Sequence, residues 1–285
     1  MNTLLPLGIP APPEYLTHIG PVRTYALCIL AGIFLAYFVT VKRYKARGGN
    51  PEIVMEVVSL AVLVGIIGAR FYYVLTVPDR FFGPEGDLLA IFKIWEGGLG
   101  VMGGMTFGLI ACFLYMKRLK LDTGVLIDAA VPGILIAQGV GRLGNYFNQE
   151  LFGLPTSLPW ALEVDGAHMP KAYEIGTTFH PTFLYEMLWN FAGALLLLWW
   201  DKRHRDTLKM WQLSFAYVSV YTIGRFAIEN IRIDYSHYFL GLRVNAWFAL
   251  GFMILGIIGY FWAGKGSRLS KAPDLDVSES LETKI

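Results

Sequence analysis

The sequence predicts an all-α integral membrane protein with seven transmembrane helices. Hydrophobic residues make up 55% of the 285 residues, and the mean hydropathy of +0.48 is too high for an ordinary soluble fold. Seven successive windows each offer roughly 20 mostly apolar residues, the length that crosses a bilayer core. The windows lie near 22–41, 54–77, 98–116, 123–142, 182–200, 210–228 and 244–263.

The basic residues predict how these spans are oriented. Clusters of lysine and arginine follow the first, third, fifth and seventh spans, at 42–47, 117–120, 202–209 and 265–271. Positively charged connections stay in the cytoplasm. We therefore expect the N-terminus outside and the C-terminus in the cytoplasm.

We expect one transmembrane domain over residues 1–266 and a disordered cytoplasmic tail over 267–285, because that tail is charged and poor in aromatic residues. The longest external connection, about 143–181, is rich in proline and predicts a small folded cap on the outer face. The opening stretch lacks a basic n-region, so we do not interpret it as a cleaved signal peptide.

Composition and motifs exclude several chemistries. The net charge is only +2, so no nucleic-acid partner is expected. Cys28 and Cys112 lie inside apolar runs without metal-type spacing, which argues against a disulfide or a metal site. No Ser-His-Asp set or P-loop is visible in the sequence, and no cofactor is expected.

Three arginines end the apolar stretches of the second, fourth and sixth spans. They are Arg70, Arg142 and Arg225, and each follows a small residue. A single arginine at membrane depth usually pairs with a carboxylate or reaches outward to water. Three at one predicted depth favour a phosphate site, because the guanidinium fork matches phosphate oxygens. The expected ligand is a phospholipid head group.

The sixth span carries further polar residues at helical spacing. Tyr221, Arg225, Glu229 and Arg232 follow i, i+4, i+8 and i+11, which predicts one stripe of the helix. Glu229 is then placed to orient one or both arginines. Asp128, deeper in the fourth span, is expected to satisfy a neighbouring helix instead of substrate.

Two other features have mainly structural interpretations. The spacing of Gly100, Gly104 and Gly108 in the third span indicates close helix packing more than ligand contact. His180 precedes Pro181 at the start of the fifth span. Taken alone, such a histidine is more often a structural hydrogen-bonding residue than a catalyst.

The stretch GRLGNYFNQELFG, residues 141–153, gathers polar groups around three glycines at the end of an apolar helix. It resembles the signature of the prolipoprotein diacylglyceryl transferases of bacterial plasma membranes. IGPVRTYAL, GARFYYVL, WEGGLG, HPTFLYE and GRFAIENIR accompany it in the family's order. The resemblance thus covers nearly the whole chain up to about residue 263.

The resemblance implies the first step of lipoprotein maturation. Such an enzyme transfers the diacylglyceryl group of phosphatidylglycerol to the lipobox cysteine thiol of a prolipoprotein and releases glycerol phosphate. The implied partners are phosphatidylglycerol in the membrane and the prolipoprotein signal peptide with its lipobox cysteine. The implied location is the bacterial plasma (inner) membrane, with the active site toward the outer leaflet.

The resemblance also assigns residues to the site. It implies six catalytic residues: Arg142, Asn145, Glu150, Arg225, Glu229 and, in the first span after a shorter loop, Tyr25. It adds Gly153 and Tyr221 for substrate binding. We add Arg70, His180 and Arg232 to the substrate-binding set from their positions in the sequence.

Position 102 departs from the family pattern. Met102 stands where many members carry a histidine, and methionine cannot act as a general base. Either that histidine is dispensable, or another group, with His180 the chief competitor, takes its place. Clustered arginines would also favour the thiolate and stabilise the departing phosphate without a dedicated base.

Two rival classes fit the residues less well. A transporter or channel also carries charges within the membrane, but no inverted repeat is evident and the charges gather at one face. Another lipid-processing enzyme, such as an acyltransferase or an alcohol phosphotransferase, would need an acylatable nucleophile or metal-binding aspartates, and the sequence shows neither pattern.

Overall fold

The computed structural model describes residues 8–20, 22–82, 86–94 and 97–266, which are mainly helical. Its seven long helices coincide with the predicted windows. They are α2 (Thr24–Lys45), α3 (Pro51–Thr76), α5 (Val101–Arg118), α6 (Thr123–Phe147), α7 (Thr182–His204), α8 (Gln212–Glu229) and α9 (Val244–Ala263). The predicted tail 267–285 and two residues of the WEGGLG stretch, Trp95 and Glu96, lie outside the described residues.

The remaining elements are short. They comprise α1 (Glu14–Thr17), α4 (Asp79–Phe82), a 3-10 helix (Leu88–Phe92), and the strands β1 (His18–Ile19), β2 (Val22–Arg23), β3 (Leu162–Glu163), β4 (Thr178–Phe179), β5 (Tyr238–Phe239) and β6 (Leu242–Arg243). The strands form three antiparallel pairs, β1 with β2, β3 with β4 and β5 with β6.

Five of the long helices, α2, α3, α6, α7 and α9, are long and apolar enough to cross a membrane. The other two, α5 and α8, have 18 residues each and are not among the five. Charged residues lower the hydropathy of both helices, because α5 ends with Lys117 and Arg118 and the last turns of α8 contain Arg225 and Glu229. The structure supports a multi-pass membrane protein, while the count of seven spans and the orientation stay predictions.

The chain forms two compact units. One contains the described residues up to Arg43 and from Ile127 onward, and the other is Tyr44–Leu126. In the second unit, α3 packs against α5 through glycine. A Cβ on Gly104 would lie 3.3 Å from the Gly65 carbonyl oxygen, and one on Gly108 would lie 3.1 Å from that of Ala61. The predicted packing role of these glycines is confirmed.

The first unit has its helical core where α6, α7 and α8 meet. The buried side chains there are Val131, Leu135, Ala194, Leu197, Leu208 and Leu213. Asp128 on α6 accepts hydrogen bonds from the backbone N–H groups of Trp211 at 2.7 Å and Ser214 at 2.8 Å. These donors belong to the otherwise unsatisfied first turn of α8. The prediction that Asp128 serves a neighbouring helix is therefore confirmed.

The segment between α6 and α7 is folded, as predicted for a cap. Because α6 continues to Phe147, this segment begins at residue 148 and not near 143. It carries the β3–β4 pair, and its Phe152, Leu162, Val164 and Phe179 form an apolar cluster with Phe183 of α7. Its position on the outer face of a membrane stays a prediction.

Candidate active site

The polar end of α6 forms a chain of hydrogen bonds. Arg142 Nη1 donates to Asn145 Oδ1 at 3.2 Å, and Asn145 Nδ2 donates to Glu150 Oε1 at 2.9 Å. Asn148 Nδ2 reaches the same Glu150 oxygen at 3.1 Å. The arginine and Asn145 are three residues apart and so share one helix face. Hydrogen bonds therefore connect four polar residues of the stretch 141–153, namely Arg142, Asn145, Asn148 and Glu150.

Glycine is required at position 153, where the signature ends. A Cβ there would lie 2.8 Å from the Ile231 carbonyl oxygen and 2.9 Å from His180 Cβ. The backbone N–H of Gly153 donates to the His180 carbonyl at 2.9 Å, and that of Leu154 to the Ile231 carbonyl at 2.7 Å. This backbone pairing holds the signature between the start of α7 and the segment after α8. The substrate-binding assignment of Gly153 stays a prediction.

Glu186 on α7 joins three arginines. Its Oε2 lies 2.6 Å from Arg142 Nη2, and its Oε1 lies 3.2 Å from Arg225 Nη1 and 3.5 Å from Arg232 Nη1. The Glu186 side chain is only 6% exposed. A single buried carboxylate thus fixes the spacing of Arg142 on α6 and Arg225 on α8.

Glu229 forms a second centre of ion pairing. It is fully buried and pairs with Arg225 one helical turn earlier, as its spacing predicts. Its Oε1 also accepts from Arg243 Nε at 2.9 Å and from Asn245 Nδ2 at 3.1 Å. Glu229 therefore holds Arg225 through Nη2, whereas Glu186 holds it through Nη1.

Arg232 departs from its predicted position. Because α8 ends at Glu229, Arg232 lies in the following segment, where it pairs with Gly153 in an isolated bridge. Its carboxylate contacts are Asp234, at 2.7 Å, and Glu186, so the predicted continuous helical stripe is wrong at this residue. Burial opposes ionisation of Asp234, but Arg232 and Arg243 outweigh it and lower the pKa of that carboxyl.

Together these contacts form what we call the arginine network: Arg142, Arg225, Arg232 and Arg243 with Glu186, Glu229 and Asp234. With every group ionised its net charge is +1. The side chains of Arg142 and Arg225 are 21% and 19% exposed, whereas those of Arg232 and Arg243 are 5% and 4% exposed. The two partly exposed arginines can meet a ligand, and the two buried ones hold the arrangement together.

A family model described as prolipoprotein diacylglyceryl transferase matches residues 14–262. The chain belongs to this family. Relatives named phosphatidylglycerol–prolipoprotein diacylglyceryl transferase cover most of its length. The one from Cutibacterium acnes is 46% identical over 94% of this chain and 92% of its own. The one from Bifidobacterium adolescentis is 45% identical over 88% and 79%, and the one from Corynebacterium glutamicum is 41% identical over 96% and 89%.

The two tyrosines assigned from the transferase family border the arginine network. The Tyr25 ring packs on Gly144, where any Cβ would collide with it. Tyr221 stacks on Tyr217, with ring centroids 6.1 Å apart and an interplanar angle of 17°. Tyr221 also lines a cavity of about 10 Å³ beside Glu186 and Arg225. This volume is close to that of a single water site.

His180 has structural contacts of the kind that its position predicts. Its Nδ1 lies 3.1 Å from Tyr185 Oη, which also accepts from Trp160 Nε1 at 2.9 Å. The backbone of His180 pairs with the end of the signature through Gly153 and Leu154. Its substrate-binding role stays a prediction.

Arg70 belongs to the other unit, and backbone carbonyls of that unit hold its guanidinium. Arg70 donates to Ile91 at 2.8 Å, Gly97 at 2.7 Å and Gly98 at 2.8 Å, and also to Ala90. These contacts fix the segment before α5. The expectation that Arg70 shares a depth and a ligand with Arg142 and Arg225 stays a prediction.

Sequence reasoning missed three members of the arginine network, Glu186, Arg243 and Asp234. Glu186 had a detectable signal, because a carboxylate in the first turns of an apolar span is costly unless it is paired. Arg243 directly precedes the seventh apolar window. Arg142 and Arg225 lie at or near the ends of the fourth and sixth windows. Asp234 lies in a short connection, and no pattern in the sequence singles it out.

Proposed function

We propose that this chain is a phosphatidylglycerol–prolipoprotein diacylglyceryl transferase. The lipobox cysteine sulfur attacks the glyceryl carbon that carries the phosphate ester. A carbon–sulfur bond forms, the carbon–oxygen bond breaks, glycerol phosphate leaves, and the thiol proton passes to a base or to water. Family membership supports the reaction, and the arginine network supports the way in which the site promotes it.

The observation that carries the proposal is the pair Arg142 and Arg225 bridged by Glu186. Two partly exposed guanidinium groups on different helices share one buried carboxylate. Such preorganised donors bind phosphate oxygens with little reorganisation. The net charge of +1 on the network matches the single negative charge of phosphatidylglycerol.

The same charges favour the transition state over the bound lipid. As the carbon–oxygen bond breaks, the phosphodiester becomes a phosphate monoester, and negative charge builds on the departing oxygen. Arg142 and Arg225 stabilise that growing charge more than the charge of the intact lipid, which is the condition for catalysis. Their positive potential also favours the thiolate form of the incoming cysteine.

Glu150 is our candidate acceptor for the thiol proton. In the described part of the chain, its carboxylate contacts the amides of Asn145 and Asn148, and no arginine. Glu186 and Glu229 are each held by guanidinium groups, so charged donors already occupy their oxygens. Glu150 is exposed and is two hydrogen bonds from Arg142.

We also propose that the site lies at the outer leaflet of a bacterial plasma membrane and that seven spans cross this membrane. Arg142 and Glu229 lie in the last turns of α6 and α8, Glu186 lies in the first turns of α7, and Arg243 directly precedes α9. Antiparallel packing of successive spans brings these ends to one face. Reporter fusions after Lys120 and Arg205 should report cytoplasm and one after Gly166 the outside. A reversed pattern would exclude this orientation.

Purified protein with phosphatidylglycerol and a lipobox peptide tests the activity. We expect the peptide to gain the mass of a diacylglyceryl group and glycerol phosphate to appear in equal amount. A peptide with serine in place of the cysteine is the matched control and should stay unmodified. Solute flux into liposomes without peptide modification would instead support a transporter.

A further inference from the structure

A second polar recess lies beside the arginine network. It has a volume of about 540 Å³ and opens between the α1–β2 region and the segment after α6. Its charged and titratable lining residues are Glu14, His18, Arg23, Glu150, Asp165 and His168, and we call it the acidic cleft. The volume falls in the range of ligand-binding sites.

One wall of the acidic cleft is held by hydrogen bonds between the buried Gln149 and Asp165. Gln149 is 6% exposed and its Nε2 donates to Asp165 Oδ2 at 2.5 Å, while its Oε1 accepts from the Asp165 backbone N–H at 2.9 Å. The other Asp165 oxygen accepts from the backbone N–H groups of Ala167 and His168. Burial opposes ionisation, but the His168 and Gln149 contacts outweigh it and lower the pKa of Asp165. This carboxylate therefore stays charged at neutral pH.

The acidic cleft is continuous with the proposed reaction centre through Glu150. This carboxylate lines the cleft and also ends the hydrogen-bond chain from Arg142 through Asn145. A substrate whose thiol lies near Glu150 can extend directly into the cleft. The recess is therefore an adjacent subsite and not a remote surface feature.

The charge of the acidic cleft is opposite to that of the arginine network. It holds three carboxylates, Glu14, Glu150 and Asp165, against the single guanidinium of Arg23. With both histidines neutral, the net charge is −2. Such a site repels phosphate groups and favours neutral or cationic chains. The two charges would direct the lipid head group and the polypeptide to different parts of the enzyme.

We propose that the acidic cleft receives the polypeptide segment that directly follows the acceptor cysteine. The inference rests on the proposed function, in which the thiol lies at the arginine pair. The chain after the cysteine lies outside the membrane and must leave the centre through polar surroundings. A recess of this size takes about three extended residues at ~3.3 Å each. The cleft then disfavours acceptors with acidic residues at those positions.

Three lipobox peptides test the inference, with lysines, small neutral residues or aspartates directly after the cysteine. We expect the kcat/KM of the aspartate peptide to be about three- to tenfold below that of the lysine peptide, the size expected for a few partly exposed charge contacts. Glu14→Lys should shrink or invert this preference. Glu174→Lys makes the same charge change at an exposed residue outside the cleft lining and should leave the preference intact.

A photoreactive residue placed second after the cysteine gives an independent readout. Its crosslinks should fall within 12–23 and 147–168, the two stretches that line the acidic cleft. Equal kcat/KM for the lysine and aspartate peptides, or equal effects of Glu14→Lys and Glu174→Lys, would overturn the inference while the transferase activity stands. Failure to modify any peptide would overturn the proposed function and the inference with it.

Discussion

Replacing Glu186 with glutamine should lower transfer about ten- to a hundredfold while the protein still folds. The substitution keeps the shape of the side chain and removes one negative charge from the arginine network. Arg142 then loses its carboxylate partner and keeps the contact to Asn145, whereas Arg225 retains Glu229. The spacing of the two exposed guanidinium groups is therefore no longer fixed.

The magnitude follows from burial and distance. Two unit charges 4 Å apart interact by roughly 4 kcal/mol at an effective dielectric constant of about 20. Glu186 lies 2.6 Å from Arg142 but that arginine is 21% exposed, so water offsets part of this interaction. A charge-assisted hydrogen bond is worth about 1.5–3 kcal/mol, which corresponds to a loss of about ten- to a hundredfold.

Activity alone does not separate positioning from a general loss of structure, so a double-mutant cycle is needed. The assay measures kcat/KM for phosphatidylglycerol in Glu186→Gln, Arg142→Gln and the double variant, with thermal denaturation of each. If Glu186 acts by orienting Arg142, the double variant should lose little more than Arg142→Gln alone. Glu174→Gln, at an exposed residue outside the network, is the matched control and should behave as wild type.

Two results would refute this reasoning. Full activity of Glu186→Gln at limiting lipid would mean that the shared carboxylate does not set the geometry of the arginine pair. Additive losses in the cycle would mean that Glu186 and Arg142 contribute independently.

Three further predictions use the same assays. Arg142→Lys should lose about ten- to a hundredfold in kcat/KM at limiting lipid, because a point charge cannot reproduce the fork; full activity would exclude bidentate binding. His180→Gln should lose less than about tenfold, below the 10²–10⁴ of a general base, since His180 contacts Tyr185 and the cap backbone; a collapse of turnover with folding intact would make it the base. The depressed pKa of Asp234 adds stability that is present above its unfolded value of about 3.9 and is lost as pH falls through the folded value. Asp234→Asn should therefore flatten the acid limb of a thermal-stability profile, and an unchanged limb would contradict that assignment.

The long helices and the glycine packing could be predicted from sequence because both depend on local patterns. Apolar windows predicted the seven helices to within a few residues, and the spacing of Gly104 and Gly108 predicted close helix packing, which the structure shows between α3 and α5. Asp128 was also interpreted correctly, since a lone carboxylate inside an apolar helix must find donors. The pairing Arg225–Glu229 follows from i, i+4 geometry alone.

The rest of the site depends on where chain segments meet after folding. Helical periodicity predicted that Arg232 lies on the sixth span. The helix α8 ends three residues earlier, and the backbone then turns so that Arg232 pairs with Gly153. Glu186 on α7 contacts Arg142 and Arg225 because the ends of α6, α7 and α8 meet in the folded chain. A sequence gives the charge of each group but not which opposite charge lies within reach, so ion-pair partners on separate helices escape pattern reasoning.

Met102 makes the route of the thiol proton the central mechanistic question. A methionine accepts no proton, and the arginine network can lower the pKa of the thiol without removing the proton from the site. Glu150 completes the account we propose, since its contacts come from the neutral amides of Asn145 and Asn148 and not from guanidinium groups. Asn145 then has a specific role, because it links Glu150 to Arg142. Through Asn145, hydrogen bonds thereby connect Glu150, the proposed proton acceptor, with Arg142, the proposed phosphate ligand.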